Sequence, residues 1–250
     1  MSYFNYKGKK IYYDKFGKGE VLVFLHGNTA SSKMFEPLMP LYADDFTVVL
    51  LDFMGNGKSE RVERFPDEMW IDQGDQVIEL CLELGLEKVN LCGTSGGAYA
   101  AVNAVLKRPE LFNKVIADSF EGNSLHKVIA ESVLKERESA KKDEKARWFY
   151  EWCQGDDWEM VVDMDTEALV NYERKNIKLF HSPVETIKVP TLITAGREDT
   201  MIFNDMETEC RNFSKANPLI SCRIYDKGGH PLILSRAEDM ADDIKKFILG

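Results

Sequence analysis

The segment Gly93-Thr94-Ser95-Gly96-Gly97 decides how this chain is interpreted. It places a serine in a G-x-S-x-G frame between an apolar run, Lys88 to Cys92, and a run of strong helix formers, Ala98 to Leu106. A side chain at such a strand-to-helix turn takes a strained backbone conformation, and the strain holds its hydroxyl up. Gly93 and Gly97 omit the Cβ atoms that would collide where strand and helix approach each other. The segment therefore predicts a nucleophile elbow.

Three other apolar runs end in polar residues that suit catalysis. Unbroken apolar runs are expected of parallel strands that are covered on both faces. The runs and the residues that follow them are Val21 to Leu25 with His26-Gly27-Asn28, Thr191 to Ala195 with Gly196-Arg197-Glu198-Asp199, and Ile220 to Tyr225, which continues to Gly228-Gly229-His230. Together with the elbow, they give the chain order serine, aspartate, histidine.

In these motifs and their order, the chain resembles the α/β-hydrolase superfamily over nearly its whole length. The segment Asp52 to Ser59, Asp-Phe-Met-Gly-Asn-Gly-Lys-Ser, is similar to the D-x-x-G-x-G-x-S loop of that family. The resemblance implies an α/β-hydrolase fold, with a mostly parallel central sheet flanked by helices. In this family the loop chiefly shapes the turn beside the site, so we expect a structural role for Asp52.

Local patterns place further elements of the core. Residues near Tyr3 to Phe16 alternate between apolar and polar, which predicts an antiparallel hairpin at the sheet edge. A helix is predicted from Asp67 to Leu84, with Asp67 as its N-cap and Gly85 as its C-terminal stop.

The alternation of strands and helices breaks between Glu121 and about Ile187. This stretch is highly charged, helical in pattern and too long for an ordinary connection. It predicts a helical cap, residues 121–187, inserted over the site. The α/β-hydrolase core domain is then formed by residues 1–120 and 188–250.

Ser95 and His230 are the expected nucleophile and base. A serine hydroxyl is too weak to attack alone and needs a base within hydrogen-bond reach. Histidine titrates close enough to neutral pH to accept that proton and return it to a leaving group. Of the other three histidines, His126 and His181 fall in the predicted cap, and His26 is expected to organise the loop that follows its strand.

Asp199 is the expected acid, which fixes the histidine tautomer and stabilises the imidazolium. It matches the family position after the strand. Glu198 is adjacent but should point elsewhere. Asp118 ends the preceding strand, where some family members carry their acid, and it remains an alternative to Asp199.

The oxyanion hole is expected from two backbone N–H groups, those of Gly96 and Asn28. In the α/β-hydrolase superfamily that the chain resembles, the residue at position 28 is often large and apolar. Here it is asparagine, whose side chain either contacts the substrate or caps its own loop.

The predicted cap offers candidates for the substrate pocket. Trp148 and Trp152 are four residues apart on one helical face, so they either line an acyl or aryl pocket or attach the cap to the core. A group of acidic residues either receives a cationic amino terminus or forms a solvated helix face; its members are Asp156, Asp157, Glu159, Asp163 and Asp165.

Composition excludes several classes of function. A net charge of -10 argues against nucleic-acid binding, which needs a basic face. The five cysteines lack C-x-x-C spacing, so neither a disulfide framework nor a zinc site is indicated. The N-terminal residues do not resemble a signal peptide, and no run approaches membrane-spanning length. We therefore expect a cytoplasmic protein with a small-molecule substrate and no membrane partner; its oligomeric state stays open.

The predicted activity is that of a serine hydrolase. We expect it to cleave a small neutral or moderately apolar carboxylic ester or thioester through an acyl-enzyme, with no cofactor and no metal. The alternatives on the same fold are a carbon–carbon bond hydrolase, an aminopeptidase-like amidase, a cofactor-free lyase and a non-catalytic small-molecule receptor.

Overall fold

Eight strands pair into one sheet in the computed structural model, which describes residues 2–250. The strands are β1 Ser2–Tyr6, β2 Lys9–Gly17, β3 Glu20–Leu25, β4 Phe46–Leu51, β5 Val89–Thr94, β6 Phe112–Asp118, β7 Thr191–Gly196 and β8 Ile220–Tyr225. Their order across the sheet is β1-β2-β4-β3-β5-β6-β7-β8. Strand β2 pairs antiparallel with β1 and β4, and all other pairs are parallel. The predicted edge hairpin and mostly parallel sheet are confirmed.

The strand before the elbow is longer than its apolar run suggests. It was expected to end at Cys92, yet Gly93 and Thr94 stay in register with Ala117 and Asp118 of β6. Two residues without apolar character therefore remain in the sheet because the neighbouring strand supplies their hydrogen-bond partners. Ser95 follows directly after the carboxyl end of β5.

Both faces of the sheet are covered, as the unbroken apolar strands predict. Along β3, Val23 and Leu25 pack into a core that includes residues of the helices after β4 and β5. Leu22 and Phe24 point to the other face and pack into a second core, which includes residues of the C-terminal helix. Alternating side chains of one strand thus serve two cores, and polar residues are left to the strand ends.

Eight α-helices surround the sheet in the described part of the chain. They are α1 Met69–Glu83, α2 Gly96–Lys107, α3 Ile129–Ala140, α4 Glu144–Gln154, α5 Trp158–Arg174, α6 Met206–Ala216, α7 Leu232–Ser235 and α8 Ala237–Leu249; short 3-10 helices span Ser32–Leu41, Pro109–Leu111 and Val184–Thr186. No helix among residues 2–250 is both long and apolar enough to cross a membrane.

The predicted start of the first helix is wrong. Asp67 was expected as its N-cap, but α1 begins at Met69, and Glu68 holds the cap position without a side-chain hydrogen bond. The Asp67 carboxylate instead accepts a hydrogen bond from Lys175 Nζ at 2.8 Å. Asp67 therefore forms an ion pair with a residue far away in the chain and does not cap α1. Gly85 lies just past the helix end with a φ of +58°, as a stop residue should.

Helices α3, α4 and α5 occupy the stretch between β6 and β7. They pack on one another, α3 against α5 and α4 against α5. Tyr150 of α4 stacks on Trp158 of α5 with ring centroids 5.7 Å apart. We call residues 129–174 the three-helix segment.

Phe24 provides a test of the second core. Its ring is fully buried and lies 5.0 Å from the rings of both Phe35 and Tyr42. Phe24→Ala should lower the free energy of unfolding by about 3–5 kcal/mol, because it leaves a cavity between two layers. Phe16→Ala, at a ring that is 38% exposed, is the control and should cost less than about 1 kcal/mol. Urea unfolding measures both, and equal losses would contradict this account of the core.

Candidate active site

The carboxyl ends of three strands bring Ser95, Asp199 and His230 together. Ser95 lies between β5 and α2, Asp199 follows β7, and His230 follows β8. His230 Nε2 is 2.9 Å from Ser95 Oγ, and His230 Nδ1 is 2.8 Å from Asp199 Oδ2. Residues up to 135 positions apart therefore form one hydrogen-bonded chain, because the carboxyl ends of parallel strands meet at the same edge of the sheet.

The elbow holds Ser95 in a strained conformation. Its φ of +54° and ψ of -123° lie where side chains are rarely found. Its N–H donates to the carbonyl oxygen of Asp118 at 2.8 Å, which continues the β5–β6 pairing into the turn. A Cβ on Gly93 would overlap the carbonyl oxygen of Gly97, and one on Gly97 would overlap that of Leu25. Both glycines are required by close backbone approach, as the sequence predicts.

Asp199 and His230 form a buried pair. The Asp199 side chain has no exposed surface, and that of His230 is 13% exposed. Because a carboxylate only accepts hydrogen bonds, the proton of this contact belongs to His230 Nδ1, and Nε2 is free to accept from Ser95. Glu198, the adjacent acid, accepts instead from the N–H of Gly228 at 3.3 Å.

Asp118 is fully buried, and its hydrogen-bond partners do not include His230. Its carboxylate accepts from the hydroxyls of Thr94 and Thr194, both at 2.7 Å, and from the N–H of Ile233 at 3.2 Å. Burial raises the pKa of Asp118, and these donors act against that rise. The carboxylate thus ties together the ends of β5, β6 and β7. Of the two acids left open by the sequence, the structure brings Asp199 to the histidine.

Two backbone N–H groups belong to residues that line a cavity beside Ser95. Asn28 and Gly96 both line this cavity. Gly96 is the first residue of α2, where an N–H has no partner within its own helix. Neither N–H has a hydrogen-bond acceptor among the described residues. They are the two donors that the sequence predicts for an oxyanion.

His26 organises the loop that carries Asn28, as expected. Its Nδ1 lies 2.8 Å from the carbonyl oxygen of Gly27, and its Nε2 accepts from the N–H of Phe53 at 3.1 Å. Burial lowers the pKa of His26, which favours the neutral ring that these two contacts need. Asp52 has a similar structural part: its carboxylate accepts from backbone N–H groups of Ser32 and Lys58.

The Asn28 side chain does not cap its own loop, and residues of two helices hold its amide. Its Nδ2 donates to Asp165 Oδ2 at 2.6 Å, and its Oδ1 accepts from Trp70 Nε1 at 3.3 Å. The amide therefore joins the loop after β3 to helix α5 of the three-helix segment.

Asp165 was wrongly grouped with a solvated acidic face. It is 2% exposed and lies 3.3 Å from Arg137 Nη2, which is itself buried. Burial raises the pKa of Asp165, while Arg137 and Asn28 act against that rise. The sequence does carry a signal, since Asp165 falls in the helical stripe of Val161, Ala168 and Tyr172, all buried.

The other acidic residues near Asp165 do not form an open site that could bind a cationic amino terminus. Asp157 pairs with Arg61 at 2.7 Å, and Asp163 pairs with Lys141. Two of the candidate carboxylates for an amino terminus are therefore already neutralised. Among residues 2–250, no group of three or more His, Cys, Asp or Glu side chains is arranged to hold a metal ion.

A cavity of about 670 Å³ opens beside Ser95 and His230. Its lining comes from helices α1 to α5, from the carboxyl ends of the strands and from the loops after β6 and β7. The apolar part of the wall includes Trp70, Tyr99, Phe120, Leu125, Val133 and Leu169. The volume suits a small organic molecule.

Of the two roles left open for Trp148 and Trp152, a place in the substrate pocket is not supported here, because neither residue lines this cavity. Their rings stack with centroids 5.4 Å apart, and Trp148 is 60% exposed. Trp152 packs against the second core, and Lys33 Nζ donates to its carbonyl oxygen at 2.7 Å. The helical spacing correctly predicts that the two rings lie on one face of α4, but it does not predict which part of the protein that face packs against.

Trp70 and Tyr99 are aromatic wall residues that the sequence analysis missed. Trp70 stacks on Tyr99 at 4.1 Å and on Tyr172 at 4.4 Å. Tyr99 lies four residues after Ser95, about one helical turn, so its position relative to the elbow was a usable signal. Trp70 lies at the start of α1, and no local pattern links it to the site.

The comparison with family models identifies the class of protein. The model described as the alpha/beta hydrolase fold matches residues 20–157, more than half of the chain. The chain therefore belongs to the α/β-hydrolase family, as its ordered motifs predicted.

Individual relatives are consistent with a hydrolase. The chain is 36% identical to 2-(acetamidomethylene)succinate hydrolase of Mesorhizobium japonicum, over 42% of this chain and 37% of that relative. It is 24% identical to carboxylesterase YbfK of Bacillus subtilis, over 92% of this chain and 80% of the relative. The crystal structure of a meta-cleavage product hydrolase shares the fold, with a TM-score of 0.78, 18% identity and coverage of 98% and 97%. The protein is an α/β-hydrolase enzyme.

Alanine variants can distinguish the roles of Trp70, Trp148 and Trp152. Trp152→Ala should lower the free energy of unfolding by about 2–4 kcal/mol, and Trp148→Ala by less than about 1 kcal/mol. Both should leave the preference of the enzyme among p-nitrophenyl esters of different chain length unchanged. Trp70→Ala should alter that preference, because its ring forms cavity wall. Melting and ester selectivity are measured on the same samples, and altered selectivity in Trp148→Ala would restore the pocket assignment.

Proposed function

We propose that this protein is a serine hydrolase that cleaves a small neutral or moderately apolar carboxylic ester or thioester through an acyl-enzyme. The observation that carries the proposal is the hydrogen-bonded chain from Ser95 Oγ through His230 to Asp199, at 2.9 and 2.8 Å, on the wall of a cavity. Such a chain activates a hydroxyl that is otherwise a poor nucleophile.

The proposed reaction has two halves. His230 Nε2 removes the proton as Ser95 Oγ attacks the carbonyl carbon, and Asp199 stabilises the imidazolium that forms. The N–H groups of Asn28 and Gly96 stabilise the developing oxyanion. His230 then protonates the leaving alcohol or thiol, and the acyl group stays on Ser95. In the second half His230 Nε2 takes a proton from a water as the water oxygen attacks the acyl carbon. The bond between that carbon and Ser95 Oγ then breaks, His230 returns the proton to Ser95 Oγ, and the carboxylic acid departs.

The chemistry of the cavity supports an uncharged substrate. Its wall is largely apolar near Trp70 and Leu169. Its charged lining residues are three acids and two bases: Glu121, Glu136, Asp143, Lys135 and Arg137. This balance offers no excess of positive charge for an anion. The relative named carboxylesterase, aligned over most of the chain, supports ester cleavage.

We also propose that residues 121–187 act as a cap that shapes substrate choice. Support comes from α3, whose residues Ile129, Ser132 and Val133 line the same cavity as Ser95. A covering helix excludes water from the reacting groups and strengthens their electrostatic interactions.

Labelling with a fluorophosphonate tests the nucleophile. Only an activated serine attacks that phosphorus at a useful rate, so intact mass should show one adduct and peptide mapping should place it on Ser95. Ser95→Ala should abolish the adduct. Ser119→Ala is the matched control, because Ser119 lines the same cavity but its hydroxyl donates to Asp118 at 3.2 Å. An adduct on Ser119, or none on folded protein, would refute the assignment.

The two buried acids give a second test. Asp199→Asn should reduce kcat for a p-nitrophenyl ester on the order of 10⁴-fold, because the histidine loses its orienting partner, while the circular dichroism spectrum stays unchanged. Asp118→Asn should cost far less activity and act mainly on the free energy of unfolding, since that carboxylate joins strand ends. If Asp118→Asn has the larger effect on kcat, the acid has been misassigned.

The same measurements separate the remaining classes of function. A non-catalytic receptor would bind ligands without turnover that depends on Ser95. An amidase, a lyase or a carbon–carbon hydrolase would show labelling of Ser95 but turn over its own substrate much faster than esters of any chain length.

A further inference from the structure

The loop after β3 has a backbone conformation that other parts of the molecule have to hold. This loop, residues 26–29, carries the candidate oxyanion donor Asn28. Thr29 has a φ of +58°, which a β-branched residue rarely adopts. A backbone strained in this way persists only where its surroundings fix it. The contacts that fix the loop therefore bear on the position of the Asn28 N–H.

The Asn28 side chain is held at both ends of its amide group. Trp70 Nε1 only donates hydrogen bonds, so it meets the amide oxygen, Oδ1, at 3.3 Å. The ionised carboxylate of Asp165 only accepts, so it meets the amide nitrogen, Nδ2, at 2.6 Å. These two partners lie on α1 and α5, and together they allow one orientation of the amide.

The amide also lies against the second candidate oxyanion donor. A Cβ on Gly96 would overlap Asn28 Oδ1 and would come within 3.0 Å of Trp70 Nε1. A Cβ on Gly27, the residue before Asn28, would come within 3.0 Å of Ser95 Cβ. The loop is thus packed on the nucleophile elbow, and the Asn28 amide contacts the elbow at Gly96.

Asp165 is itself held by a buried cation. Its Oδ1 lies 3.3 Å from Arg137 Nη2, so one carboxylate oxygen serves Arg137 and the other serves Asn28. The exposed fraction of the side chain is 9% for Arg137 and 4% for Asp165. Arg137 also donates to Glu136 and to the hydroxyl of Tyr150, at 2.7 and 3.3 Å. Because several hydrogen bonds restrain this buried pair, Asp165 offers Asn28 an acceptor in a fixed place.

We propose that Asp165 is a positioning residue of the oxyanion hole. From α5 it holds the Asn28 amide against Gly96, and it thereby sets the place of the Asn28 N–H relative to Ser95. Arg137 in turn holds Asp165. Both charged residues belong to the three-helix segment, which therefore contributes to the reaction as well as to the choice of substrate. The proposal rests on the proposed function, because it takes the Asn28 N–H as an oxyanion donor.

Two double variants test this contact without leaving a buried charge unpaired. Arg137→Met/Asp165→Ala, the acceptor-free variant, offers nothing to the Asn28 amide. Arg137→Met/Asp165→Asn, the acceptor-bearing variant, still offers an amide oxygen. Removing both members of a buried ion pair is tolerated far better than removing one.

The two double variants should differ in kcat for a p-nitrophenyl ester. A misplaced donor weakens binding of the transition state more than binding of the substrate. The acceptor-free variant should therefore have a kcat about tenfold to a hundredfold below that of the acceptor-bearing variant. Their KM values should agree within about twofold.

A ketone that forms an oxyanion without turnover gives the deciding measurement. Ser95 Oγ adds to the carbonyl carbon of 1,1,1-trifluoroheptan-2-one, His230 Nε2 takes the proton, and the adduct keeps its oxyanion because no group leaves. The alcohol 1,1,1-trifluoroheptan-2-ol has the same chain but forms no adduct. By calorimetry the acceptor-free variant should bind the ketone about tenfold or more weakly than the acceptor-bearing variant, and both should bind the alcohol equally. A loss of stability alone would not separate the two ligands.

Asn28→Ala reaches the same contact from the core, because it removes the amide and leaves the backbone N–H in place. It should weaken ketone binding about as much as the acceptor-free variant does. In the Asn28→Ala background the two double variants should no longer differ, since Asp165 acts through the amide. Asp163→Ala is the control on the same helix, at an exposed carboxylate that pairs with Lys141, and it should behave as the wild type.

The outcomes separate this role from the proposed function. Equal ketone binding by the two folded double variants, or wild-type ketone binding by Asn28→Ala, would overturn the role of Asp165 and leave the hydrolase proposal intact. If the wild type hydrolyses no ester but the double variants differ in ketone binding, the proposed function fails and the role of Asp165 stands. If the wild type binds the ketone no more tightly than the alcohol, Ser95 has no oxyanion site and both proposals fail.

Discussion

The site depends on a close approach between three pieces of backbone. Strand β5 ends, α2 begins and the loop after β3 passes at a separation that leaves no room for a Cβ on Gly93 or Gly97. The approach forces the intervening residue to a positive φ and aims its hydroxyl at the sheet edge. The cost of that conformation is offset by backbone pairing with β6 and by two cores that fix the strands from both faces. Without this packing the serine would relax into an ordinary turn.

Parallel pairing then delivers the other groups. Because β3, β5, β7 and β8 run in the same direction, the residues that follow them meet at one edge. A neutral His26 holds one loop and the Asp118 carboxylate holds the strand ends, so polar groups that do not reach the cavity position those that do.

Sequence reasoning was successful where the signal is local. The elbow frame, the apolar strands and the residues after them depend on neighbours within a few positions, and they predict the sheet and the residues that meet at its edge. It failed where the contact of a side chain depends on a residue that is far away in the chain. Asp67 pairs with Lys175 and does not cap its helix, and Asn28 binds Asp165, 137 positions away. For Trp148 and Trp152 the helical period was correct, but the direction of their face depends on how α4 packs, which no local pattern encodes.

The contact between Asn28 and Asp165 limits how this fold can be recombined. The three-helix segment is inserted between two strands and looks exchangeable from its place in the chain. Its buried Asp165 and Arg137, however, are completed by an amide that belongs to the core, beside a candidate oxyanion donor. A chimera that carries the segment onto another α/β-hydrolase core without an asparagine at this position would bury a carboxylate with one donor fewer. The three-helix segment and the loop after β3 therefore have to be transferred together, although Asn28 and Asp165 are 137 positions apart in the chain.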